Sequence, residues 1–130
     1  MTVDHMSIGS PNNIINFVSA LDLVLHNGFS TETQEVRGLQ QGGLETFDTF
    51  EKLVDAFKAQ VDYTNGLFAR RHMVEYQVAR ESAAYLFISM LTDDCIERNK
   101  GCFEGGTRYL GATIETLGLT NVCDSLFAIK

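Results

Sequence analysis

Asp93, Asp94 and Glu97 place three carboxylates within a single short stretch of this 130-residue chain. On a helix, positions 93 and 97 share a face, the arrangement of an acid/base pair or of two metal ligands. Here they fall in the last turns of a predicted helix, where negative charge opposes the macrodipole. A solvated helix end bonded to the glycine-rich turn beyond explains them equally well. His72 and Glu75 also share a face, but one histidine and one carboxylate fall short of a metal site, and they read as a surface pair. Gly105-Gly106 followed by Thr107 and Arg108 has the ingredients of an anion-binding nest of backbone amides. The phosphate-loop Lys-Ser signature is missing, so the glycines read rather as a tight turn into a strand. Arg108 and Tyr109 then either face a substrate cavity or serve as a charged anchor and a packed aromatic.

The three cysteines, Cys95, Cys102 and Cys123, form no CxxC pair and have no histidines at zinc-finger spacing, so free thiols and no metal are expected. Cys95 and Cys123 fall on predicted helices and read as small buried apolar residues. No serine, histidine and acid are arranged for hydrolysis. Ten basic against seventeen acidic residues give a net charge of -7, without the concentrated positive footprint that phosphate backbones require, which argues against a nucleic-acid surface. No apolar run approaches the ~20 residues of a membrane span, and no signal peptide opens the chain, so a cytoplasmic protein is expected.

The elements that must position these groups read as mainly helical. Ser10-Pro11 offers an N-cap and a first-turn proline, and Ile14, Phe17, Val18, Leu21, Val24 and Leu25 form one apolar stripe that Gly28 ends. Residues 29–45 read as a long surface loop, able to cover something outside the chain. Asp48, Thr49 and Glu51 mark a second helix start, with Phe50, Leu53, Val54, Phe57 and Val61 on its buried face. Gly66 costs a helix only about 1 kcal/mol, so a helical run is predicted to continue from about Leu67 to Asn99, with Leu67, Phe68, Met73, Val74, Val78, Ala83, Leu86, Phe87, Met90 and Leu91 as core and Gly101 as its cap. A short strand is expected near 108–117, then a helix opening at Thr120 or Asn121.

Asp93-Asp94-Cys95-Ile96-Glu97, Gly105-Gly106-Thr107-Arg108-Tyr109 and Gly118 to Lys130, in that order, resemble the glycyl radical enzymes, the pyruvate formate-lyase and dehydratase superfamily. Asn16 to Gly28 and Thr49 to Tyr63 are similar to two further helices of that family. Each of the four helical blocks alone is an amphipathic helix of modest specificity; the four in order at the family's spacing, with the Gly-Gly turn among them, are far more specific. Thr107 and Leu110 depart from the family's Gly-Gly-Ala-Arg-Tyr-Asn, which leaves subfamily and substrate open.

The resemblance implies a ten-stranded β/α barrel in the parent enzyme. One finger loop carries a catalytic cysteine and another the radical glycine, installed by a radical S-adenosylmethionine activase. Residues 1–130 would be a single segment of that barrel domain, with the glycyl radical domain absent. The family's Gly-Cys-x-Glu motif precedes the helix matched by residues 16–28, and the chain is read as lacking that motif altogether; the Arg-Val-x-Gly-Tyr motif is also absent. No catalytic residue is therefore assigned. Asn12 and Asn13, with Arg108 and Tyr109, are the substrate-neighbour candidates, and the isolated chain is expected to be inactive and to bind no cofactor itself. Its expected partner is the remainder of the parent enzyme, or a second copy. The other reading is a small helical interaction module or degenerate split subunit without catalysis.

Overall fold

The computed structural model describes residues 13–82, 85–110 and 114–130. They form two compact units, one of Ile14–Leu67 with Glu115–Lys130, the other containing Asn13 and Phe68–Ile114. Both are mainly helical with little strand, as the patterning implied.

In the first unit the chain enters through strand β1 (Asn13–Asn16), not through a helix opened at Ser10-Pro11; those two residues lie outside the described ones. Ile14 is exposed and Ile15 buried, a period of two that removes Ile14 from the helical stripe. Helix α1 (Phe17–Leu25) starts only where Asn16 accepts hydrogen bonds from the Val18 and Ser19 amides. Gly28, at φ +81°, ends the turn after α1, its amide donating to the Leu23 carbonyl. A Cβ there would lie 2.7 Å from the Gly38 carbonyl oxygen, so only glycine fits.

The 29–45 segment covers its own unit. Strands β2 (Phe29–Ser30) and β3 (Glu35–Val36) pair antiparallel, and a 3₁₀ turn spans Leu44–Thr46. The Leu39 amide donates to Gln60 Oε1 at 2.8 Å, and Gln41 donates to the Ala56 carbonyl at 3.2 Å. Gln60 is 1% exposed, a buried amide whose Oε1 is satisfied by the loop it holds and whose Nε2 donates to Thr64 Oγ1 one turn on.

Helix α2 (Phe50–Ser82) begins where Thr49 Oγ1 accepts from the Lys52 amide and Lys52 pairs with Asp48. Gly66 passes through its interior, as expected. Val24, Leu53 and Ala56 form the core, with Leu25, Phe47 and Leu126 packed around it; burying Val24 or Leu53 stabilises by about 2 kcal/mol each. Strand β4 (Ile114–Leu117) pairs with β1. Helix α4 (Leu119–Ile129) follows Gly118 and brings Val122 and Leu126 inward while Phe127 stays exposed.

The second unit departs from the predicted continuous helix to Asn99. Helix α2 ends at Ser82, Ala83 and Ala84 lie outside the described residues, and Tyr85 adopts a left-handed φ of 39° before helix α3 (Leu86–Met90). Residues 91–99 are a series of turns, with Asp94 at φ 71° and Asn99 at φ 52°. Carboxylates 93 and 97 therefore share no helix face, and Cys95 is not helical. Met73, Val74, Val78, Leu86, Phe87, Met90 and Leu91 are exposed, not core.

Candidate functional site

The groups with chemical potential gather in the second unit. Asp94 is the hub. Arg108 grips it bidentately, Nε to Oδ2 at 2.8 Å and Nη2 to Oδ1 at 3.0 Å, and Arg98 approaches at 3.4 Å. Two donors in a rigid fork match a carboxylate's two oxygens. The Arg108 hydrogen bond, with the charges of both arginines, holds the Asp94 carboxyl below its ordinary range, and Asp94 in turn raises Arg108.

Arg98 also donates to the carbonyls of Gly105 and Thr107 at 3.4 Å. The Gly106 amide is spent on the Gly101 carbonyl at 3.0 Å, and a Cβ on Gly106 would meet Cys95 Sγ at 2.9 Å. Gly105-Gly106 is thus a tight turn with a cation against its carbonyls, a poor anion nest. Burial, then the neighbouring Cys102, push the Cys95 thiol up, away from the thiolate that nucleophilic chemistry needs. Cys95 and Cys102 are free and buried; Cys123, expected to be buried, is exposed on α4.

Sequence reasoning missed that Gly101-Cys102-Phe103-Glu104 reads Gly-Cys-x-Glu, after the long helix instead of before α1. Its geometry is that of a cap. Glu104 accepts from the Gly101 amide at 3.2 Å, the Cys102 amide donates to Ser89 Oγ at 3.0 Å, and Thr107 Oγ1 donates to the Cys102 carbonyl at 3.2 Å. Cys102 is 1% exposed. Phe103 stacks on Tyr76 and meets Tyr85 edge-on.

His72 and Glu75 are not a surface pair. His72 is 5% exposed, its Nε2 against the side-chain amide of Asn13, which is itself buried. Of the four substrate-neighbour candidates, Asn13 and Arg108 therefore have their polar ends engaged on His72 and Asp94. Tyr109 is exposed, and Asn12 lies outside the described residues. Among the described residues no group of three or more His, Cys, Asp or Glu side chains is placed to hold a metal ion, and no helix is long and apolar enough to cross a membrane.

Comparison with known proteins identifies the family. The family model described as "Pyruvate formate lyase-like" matches residues 3–130. Trans-4-hydroxy-L-proline dehydratase of Clostridioides difficile is 31% identical over 116 residues, which cover 89% of this chain and 15% of the dehydratase. The structure behind 1,2-propanediol dehydration in Roseburia inulinivorans superposes with a TM-score of 0.82 at 31% identity, over 90% of this chain and 14% of that one. The glycerol-bound B12-independent glycerol dehydratase of Clostridium butyricum gives 0.81 at 26% identity, over 90% and 15%. The chain spans about a seventh of the length of these relatives, and with the family model matched nearly end to end it belongs to the pyruvate formate lyase-like glycyl radical enzymes.

Proposed function

We propose that the chain is a scaffold segment of a glycyl radical dehydratase or lyase, part of the ten-stranded β/α barrel of a longer parent. Such an enzyme cleaves C–O, C–C or C–N bonds, or decarboxylates, by radical chemistry in an anaerobic cytoplasm. The observation that carries the reading is the mismatch of coverage: nine-tenths of this chain aligns with about a seventh of each dehydratase. A radical stored on a glycine and relayed through a thiyl needs a water-excluded site, whereas Cys123 is exposed and Cys95 and Cys102 are enclosed in the turn beside Gly101–Gly106. In this reading the radical glycine, its activase and the catalytic cysteine belong to the rest of the parent. Asn13 and Arg108 serve by positioning chain, and Tyr109 is the candidate left open to a substrate or to the barrel. The exposed apolar residues of α2 and α3 meet the remainder of the parent or, in its absence, a second copy.

The test is anaerobic incubation of the 130-residue polypeptide with a competent radical S-adenosylmethionine activase, followed by electron paramagnetic resonance. No glycyl doublet and no dehydratase turnover are expected. A glycyl signal mapped to this chain would overturn the proposal.

A further inference from the structure

His72 is a buried imidazole to which the scaffold role above gives no task. It lies within α2, and each of its ring nitrogens faces one polar side chain. Nε2 meets the Nδ2 amide of Asn13, the first residue of β1 and 59 positions away in sequence. Nδ1 faces Glu75 Oε2 at 3.7 Å, and these two buried atoms make no hydrogen bond among the described residues. The other carboxylate oxygen, Glu75 Oε1, accepts from Arg71 Nε at 2.6 Å, which fixes the carboxylate's plane beside the ring. The Tyr76 ring lies against the imidazole with centroids 5.8 Å apart, and Phe103 stacks on Tyr76 in turn.

We infer that Glu75 holds His72 as its Nδ1–H tautomer, so that Nε2 accepts the side-chain amide of Asn13 and the chain is pinned where it enters β1. The alternative tautomer puts the Nδ1 lone pair against a carboxylate in a desolvated setting, where like charge is poorly screened. It also points an Nε2–H at the Asn13 amide donor, so Asn13 would have to turn over. The Nδ1–H form turns a donor toward Glu75, an electrostatic contact at 3.7 Å and not a hydrogen bond, and an acceptor toward the Asn13 amide. Second-side partners of this kind are what fix the tautomer and orientation of working histidines. His72 is accordingly a positioning residue, acting through Asn13, and Arg71 and Glu75 position His72.

That this pinning of Asn13 serves the parent enzyme rests on the scaffold reading proposed above. The tautomer itself does not depend on that reading. ¹⁵N-histidine labelling of the full chain and imidazole ¹⁵N spectroscopy at about pH 8, where a free imidazole is neutral, decide it. His72, assigned by the signal lost in His72→Gln, should show a protonated Nδ1 and an unprotonated Nε2. Glu75→Leu should lower the Nδ1–H population, and Asn13→Asp, which exchanges a donor for an acceptor, should draw the proton to Nε2. A wild-type spectrum with the proton on Nε2, or on both nitrogens, overturns the assignment, as does an unchanged tautomer in Glu75→Leu. Should a variant fail to fold, the wild-type spectrum alone still decides. If a glycyl radical were found on this chain, the scaffold reading would fall while the ¹⁵N result stood.

Discussion

The two units of this chain are held together by different physics. In Ile14–Leu67 with Glu115–Lys130, the interior is aliphatic: Ile15, Leu21, Val24, Leu53 and Val122 are all buried. In Phe68–Ile114 the buried side chains are His72, Ser89, Cys95, Cys102 and Thr107, Phe68, Tyr76 and Phe103 are half-buried, and most of its other large apolar side chains face outward. One unit is stabilised by area removed from water, and the other by specific hydrogen bonds and one bidentate ion pair. The contrast teaches that an apolar stripe reports a face that must be covered, without saying that this chain covers it. In the first unit the stripes of α1, α2 and α4 meet one another. In the second, Met73, Val74 and Val78 form a stripe with no counterpart among the described residues of their own unit.

The largest effect that sharpens this contrast is expected at Leu53, which is 1% exposed in the aliphatic core. Leu53→Ala should destabilise the 130-residue polypeptide by about 3 kcal/mol, read as a lower urea midpoint with an unchanged slope. A loss below about 1 kcal/mol would mean that the site collapses around the cavity, or that the first unit does not depend on its core.

Asp94 tests the polar unit. Its folded-state pKa lies below the unfolded value because Arg108 binds the carboxylate, so the contribution is present above the ordinary Asp range and is lost as pH falls through the lowered folded value. Amide protection factors across residues 93–110, corrected for the pH dependence of intrinsic exchange, should therefore fall on acidification below the ordinary Asp range. Asp94→Asn should exchange faster already at neutral pH and respond less to acid. An acid response identical in the variant would show that another carboxylate governs this segment.

The smallest effect is expected at Met73, 75% exposed on α2. Met73→Ala should change the stability of the polypeptide by less than about 0.5 kcal/mol. A loss comparable to that of Leu53→Ala would break the comparison, because it would mean that a second copy already covers this face. In a longer parent, the proposed scaffold role expects the Met73 effect to grow.

Local chemistry in the sequence determined a good deal by itself. The Thr49 cap, the passage of α2 through Gly66, the turn at Gly28 and the apolar faces of α1 and early α2 are decided within a few residues, where spacing and capping are visible. The ordered motifs were also enough to indicate the glycyl radical family. Tertiary structure alone decided the rest. β1 pairs with β4, far along the chain, so a strand replaces the expected helix entry. The predicted helix to Asn99 gives way at Tyr85 and again at Asp94, whose carboxylate is held by Arg108 fourteen positions on. His72 is buried by Asn13, 59 residues away. Periodicity registers neighbours three and four apart, and none of these partners lies in that window, so a side chain's face was legible while the group that would meet it was not.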